Sequence, residues 1–178
     1  MTDTNNHLIE SPPIKHHVAD LKIISMKRFI ILSITSFGLY QIWWMFKAWR
    51  FFAIKDNLNI MPALRAIFSI FFLYALFNKI QGYAQENGYT RSFSAAWMFA
   101  GYLVVTFASH LPDPYWLIAL FNFIFLIPAF VTLNYAKTHA DQVNSVIQEK
   151  LSTAHLVMII FGSLWWLLVL AGLVMGVR

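Results

Sequence analysis

The chain has 178 residues, of which 59% are hydrophobic, 17% aromatic and only 12% charged. Soluble domains carry about 25% charged residues, so this chain has too few polar groups to cover its own surface, and lipid is its expected solvent. It has no cysteine, which excludes disulfides, thiolate nucleophiles, thiolate zinc sites and iron–sulfur clusters. The formal net charge of +5 points to anionic lipid headgroups rather than nucleic acid, because the bases flank apolar runs.

Residues 1–28 read as a flexible polar arm, with Pro12 and Pro13 and little periodicity. They lack the apolar core of a cleavable signal peptide, so the segment opening at Phe29 is expected to be its own insertion signal. Residues 29–178 then form a single helical membrane domain.

Five apolar segments follow. The first, residues 29–46, carries no charge but contains Ser33, Thr35, Ser36, Gly38 and Gln41, and Ser36-Phe37-Gly38 reads as a break. It runs into Trp43, Trp44, Lys47, Trp49 and Arg50, the aromatic and basic mixture of a helix lying in the headgroup layer. The second, residues 66–77 between Arg65 and Lys79, spans about 18 Å as a helix against ~30 Å of hydrocarbon. This N-terminal pair is therefore re-entrant or interfacial, or it crosses and brings the total to five spans.

The other three segments are long enough to cross. No Lys, Arg, Asp or Glu falls between Arg91 and Asp113, between Asp113 and Lys137, or between Lys150 and Arg178. Unpaired backbone groups are not tolerated in lipid, so these are helices. The short link through Leu111-Pro112-Asp113-Pro114 makes the first two antiparallel neighbours. Asp113 is placed as an N-cap, with Pro114 at the first helical position. Tyr115 and Trp116 fall at headgroup depth in an aromatic belt, Asn134 and Tyr135 suit the opposite interface, and Pro128 is placed to kink the span. Residues 137–151 predict a surface helix, with Val143, Ile147 and Leu151 on one face.

Charge bias chooses between the arrangements. If all five segments cross with the N-terminus inside, Lys47, Arg50, Lys55, Arg65 and Arg178 lie outside. If the first two dip in or lie flat, only Arg178 does. Positive charge collects on the cytoplasmic side, which favours the second arrangement. Both put the N-terminus in the cytoplasm and the C-terminus in the periplasm.

Candidate chemistry is sparse. His16, His17 and Asp20 cluster in the arm, His110 lies near Asp113, His139 near Asp141 and His155 near Ser152 and Thr153, but no spacing matches a zinc site. No nucleophile elbow, phosphate loop or metalloprotease helix occurs. No catalytic residue, cofactor or metal ligand is therefore assigned. Asn122 is the notable intramembrane polar group, expected to hydrogen-bond another helix. Ala96-x-x-x-Ala100 and Gly172-x-x-x-Gly176 have the small-residue spacing of close helix packing. Ser36-Phe37-Gly38-Leu39-Tyr40 faintly echoes residues 160–164, too faintly for an inverted repeat.

Three stretches, residues 30–44 with Thr35-Ser36-Phe37-Gly38-Leu39-Tyr40-Gln41-Ile42-Trp43-Trp44, residues 65–72, and Leu111-Pro112-Asp113-Pro114-Tyr115-Trp116, carry a resemblance. The chain resembles a group of small bacterial inner-membrane proteins over most of residues 25–178. The resemblance implies a bacterial inner membrane and no reaction, substrate or catalytic residue. The leading expectation is a non-enzymatic membrane interaction or scaffold protein that engages membrane lipid, with self-association or another membrane protein as further partners. A small transporter or channel subunit would instead show a polar cavity around Asn122, and a lipid-modifying enzyme would gather histidines and acids at the inner face.

Overall fold

The computed structural model describes residues 22–140, 146–147 and 152–176. The fold is all-helical: α1 (Met26–Thr35), α2 (Leu39–Lys55), α3 (Pro62–Ile67), α4 (Ser69–Glu86), α5 (Ala95–Phe107), a 3-10 stretch (Tyr115–Leu126) continued by α6 (Ile127–His139), and α7 (Thr153–Gly176). A two-residue parallel bridge joins Lys22–Ile23 to Val146–Ile147. The surface helix expected over 137–151 does not form at Val146–Ile147, where the backbone pairs as a strand. Lys137 and His139 belong to the end of α6, and most of the rest of that segment lies outside the described residues.

Among the described residues two helices are long and apolar enough to cross a membrane. Tyr115–His139 has 25 residues at mean hydropathy 2.3, and α7 has 24 at 2.4. Ala95–His110 is apolar but shorter. Three long apolar helices are thus expected, and two of that length stand among the described residues. Pro128 falls in the first turn of α6, where its missing N–H costs no bond, and the winding changes there from 3-10 to α. Asp113 does not cap backbone: its carboxylate accepts the Trp116 indole N–H at 2.7 Å.

Residues 36–38 reverse the chain. In a straight helix Phe29 and Trp44 would be roughly 22 Å apart, yet their ring centroids lie 5.8 Å apart, and Phe29 also meets Tyr40 at 5.9 Å. The reversal needs two left-handed residues, Phe37 (φ 54) and Gly38 (φ 85). Every N–H from Ser36 to Gln41 is nevertheless paired. Ser36 donates to the Leu32 carbonyl, Phe37 to Ile34, Gly38 to Ser33, Leu39 to Ser36 and Gln41 to Gly38. Tyr40 N–H donates to the Ser36 hydroxyl oxygen at 2.9 Å. The Gly38 and Phe37 bonds are the two that close many helix ends, here with phenylalanine where glycine is usual. That left-handed Phe37 costs about 1–2 kcal/mol, offset by rings around it: Trp116, Trp165 and Trp166 at 6.0, 5.9 and 5.5 Å.

Both hairpin arms end at one level. The Asn134 amide donates to the Ile24 carbonyl at 3.2 Å, and the Lys137 ammonium lies 4.5 Å from the Phe51 ring centre. The next segment behaves alike. Asp56 bonds Lys55 at 3.0 Å and Lys79 at 2.6 Å, so the chain between Asp56 and Lys79, including α3 and most of α4, departs from and returns to one carboxylate. A break at Phe68 (φ −88, ψ 42) separates its arms, and α3 packs against the first half of α2. Lys55 and Lys79, which flank that segment, thus meet at one partner.

The core lies between these hairpins and α6, around Phe29, Trp49, Phe52, Phe77, Leu76, Leu126 and Phe130; Phe29 stacks on Phe130 at 4.4 Å. Trp44 and Trp49, expected in the headgroup layer, are 7% and 2% exposed, because α2 is a packed arm of the hairpin and buries both rings. The close helix approaches also occur elsewhere than expected. Gly172 and Gly176 face open space, and Ala96 and Ala100 are exposed. At Gly162 an added Cβ would strike the Thr35 carbonyl and come within 2.6 Å of Ser36 Cα; at Gly101 it would enter the Phe125 ring.

Two predictions follow from this packing. Gly162→Ala destabilises the fold by about 1–3 kcal/mol or more, as overpacking does, while Gly172→Ala is near neutral; thermal unfolding in detergent separates them. Asp56 is partly desolvated, which raises its pKa, but hydrogen bonds and charge from Lys79 and Lys55 prevail and hold it below the usual value. A depressed carboxyl stabilises the fold above its unfolded pKa of about 3.9, and the effect is lost as pH falls through the folded value. Asp56→Asn should therefore cost up to about 1 kcal/mol at pH 7, and the difference from the parent should vanish in melts taken below the folded pKa.

Candidate functional site

Three elements converge at the end of the bundle where Lys137 lies. Tyr40, Trp44 and Lys47 recur on one face of α2, α6 supplies Asn134 and Lys137, and the first turn of α7 supplies His155. With Ile24, Trp43, Phe130 and Leu133 they enclose a cavity of about 40 Å³, room for roughly three or four water-sized groups at about 10–15 Å³ each. Among the described residues lining it none is acidic.

Each polar side chain there is positioned. Lys137 is only 6% exposed and His155 5%. The Ser152 backbone N–H donates to His155 Nδ1 at 3.4 Å, which leaves the proton of the neutral ring on Nε2. Tyr40 meets the His155 ring edge-on at 5.4 Å. Lys47 lies 5.7 Å from the centre of the Trp43 ring, close enough for the ring face to attract it.

Trp43 also borders a second space. A half-open groove of about 410 Å³ runs between α2, α3 and α7, lined by Leu39, Ile42, Phe46, Ala66, Ile67 and Met158 among others. Its size is that of small-molecule pockets, about 300–1,000 Å³. One tryptophan thus separates a basic cavity from an apolar groove.

The remaining expected residues do not join this site. Arg50 is half-buried on α2. Tyr115 is exposed at the far end of the bundle, and the Trp116 ring packs towards the hairpin turn. Asn122 donates to Thr106 Oγ1 at 3.1 Å, the interhelical bond expected of it, and the Tyr102 hydroxyl links Thr106 to Ser69. Asn122 Oδ1 is buried without a partner among the described atoms. His139 stacks on Tyr135 at 3.9 Å and His110 on Phe107 at 6.3 Å. His16, His17 and Asp20 lie outside the described residues. Among the described residues no three His, Asp or Glu side chains are grouped as metal ligands.

No family model, curated protein or solved structure matches this chain. The reading of the site therefore rests on its geometry. Tyr40, Asn134, Lys137 and His155 were not among the expected site residues. Asn134, Lys137 and His155 share a positional signal, since each stands at an end of its apolar segment, whereas Tyr40 lies within the first segment.

Asn122→Leu should change stability by less than about 1 kcal/mol in detergent melts. Intramembrane side-chain bonds average about 0.6 kcal/mol, and the substitution also removes the unpaired carbonyl.

Proposed function

We propose that this is an integral protein of a bacterial inner membrane whose role is non-enzymatic: a membrane interaction or scaffold protein that engages lipid of the cytoplasmic leaflet. The N-terminus is cytoplasmic, the C-terminus periplasmic, and the hairpins built from α1–α2 and α3–α4 enter from the cytoplasmic side without crossing. The carrying observation is the basic cavity held by α2, α6 and α7. Its lysines and histidine suit anionic headgroups, while the apolar groove beside it suits an acyl chain.

Three further observations support the reading. The contacts of Asp56 and Lys137 gather Lys47, Lys55, Lys79 and Lys137 towards one end of the bundle, as the positive-inside rule asks. Helix α7 presents Leu156, Ile160, Phe161, Leu164, Leu167 and Val174 outward, which suits a lipid-facing span and not the core of a soluble protein. The resemblance of residues 30–44 supports the bacterial inner membrane. A transporter reading would need a polar cavity at Asn122, and an enzyme reading would need acids beside His155.

Cysteine labelling tests the arrangement, since no native cysteine needs removal. Lys55→Cys should resist an impermeant maleimide in intact spheroplasts and react after permeabilisation, whereas Pro112→Cys should react in both. Labelling of position 55 from outside would overturn the re-entrant arrangement.

A further inference from the structure

Helix α3 and the start of α4 leave Met61, Leu64, Ile67, Phe68 and Phe71 exposed, Phe71 at 75%. One charge stands among them. The half-buried Arg65 guanidinium lies 4.5 Å from the centre of the Trp49 ring and 5.1 Å from that of Phe72. Such contacts use the flat faces of the group. Its N–H donors point outwards in its plane, as a fork that fits a carboxylate or a phosphate. Asp56 is held by Lys55 and Lys79, and no acid among the described residues pairs with Arg65. Depth follows from the helix rise. Trp49 precedes Lys55 by six residues and Phe72 precedes Lys79 by seven, so Arg65 lies roughly 10 Å from the level of Asp56. On the re-entrant reading above, that is where headgroup phosphates meet hydrocarbon. A cation at this depth without a counter-charge is costly. A soluble anion would pair with it but leave Phe68 and Phe71 uncovered, and a neutral hydrocarbon would cover them without pairing. A second copy of this face would bring Arg65 towards its own counterpart.

We infer that Arg65 grips the phosphate of one phospholipid of the cytoplasmic leaflet, whose acyl chains lie over Leu64, Phe68 and Phe71. The site rests on the re-entrant reading and is distinct from the cavity at His155. Trp49 and Phe72 hold the guanidinium plane in place, so the fork meets the phosphate already oriented. The phosphate itself is what Arg65 recognises, and the selectivity is against lipids that have none.

The test uses the full-length protein in detergent, titrated with phosphatidylglycerol or with uncharged monogalactosyldiacylglycerol of equal chain length and read by native mass spectrometry. The parent should retain phosphatidylglycerol in preference to the glycolipid. Arg65→Gln should reduce that preference about fivefold, the worth of one base near an anionic surface. Phe71→Ser, at an exposed position, should weaken retention of both lipids and keep the preference. Arg65 also joins three helices through its ring contacts, so a second variant leaves those contacts alone. Met61 is 68% exposed and stands four residues before Arg65, the spacing at which an acid reaches a base along a helix. Met61→Glu should occupy the fork and lower the preference as Arg65→Gln does, while Met61→Gln keeps it. Met61→Glu decides the matter if Arg65→Gln fails to fold. An equal hold on both lipids by the parent, an unchanged preference in folded Arg65→Gln, or equal preferences in Met61→Glu and Met61→Gln would overturn the inference. Displacement of the lipid by millimolar inorganic phosphate, with no effect of Phe71→Ser, would make this a small-anion site and overturn it too. Labelling of Lys55→Cys in the same background keeps the readings apart. Position 55 inside with no lipid preference removes this inference alone, and position 55 outside removes the reading beneath it.

Discussion

A chain reversal buried among apolar side chains must satisfy its own backbone, because no water is present to do so. At residues 36–38 that constraint is met by six consecutive paired N–H groups, two of them from residues with positive φ. The Ile34 carbonyl takes a second bond at the same place, from the Trp166 indole at 3.0 Å. The turn is thereby tied to the middle of α7, and Gly162 lets the two backbones meet. The direction of α2 follows from this turn. With it follow the placement of Tyr40 and Lys47 against His155, the floor of the basic cavity, and the surface on which α3 packs.

The turn also accounts for the tryptophan pair in the last apolar run. Trp165 and Trp166 stand far from either end of α7, where an indole ordinarily has no polar partner. One packs on Phe37 and the other both packs on it and bonds the α1 terminus. The faint echo between residues 36–40 and 160–164 involves stretches that touch, since Gly162 abuts Thr35 and Ser36. Their small residues serve one contact and imply no duplicated architecture.

Much of this was legible in the sequence and part was not, for a physical reason. Length and hydropathy mark the long apolar helices at 115–139 and 153–176, and the Ser-Phe-Gly run marks the break, because these are properties of one segment. Which face of a segment meets protein and which meets lipid is a property of two. Trp44 and Trp49 have the composition of interfacial anchors, yet they fill the space between hairpins. Gly172 and Gly176 have the spacing of a packing motif, yet Gly162 and Gly101, with no such spacing, carry the contacts. In lipid both environments are apolar, so the hydrophobic pattern that separates inside from outside in a soluble protein loses its contrast. Charged residues keep theirs. Asp56 shows this, because one carboxylate shared by Lys55 and Lys79 brings the two ends of the second apolar segment together.

The same loss of contrast explains the aromatic content. Apolar burial contributes little to helix association wherever the solvent is lipid, and there shape, ring contacts and hydrogen bonds hold a bundle. Rings do this where the helices are short and broken: Phe29 bridges α1, α2 and α6 through Tyr40, Trp44 and Phe130. Arg65 sits over Trp49 at 4.5 Å and Phe72 at 5.1 Å, joining α2, α3 and α4. Helix α7 is the exception. Only His155 and Gly162 are buried along its length, one facing the cavity and one facing the turn. A helix held at two points is fixed in register by both. The residues that close the cavity are therefore coupled, through α7, to the turn that sends α2 towards it.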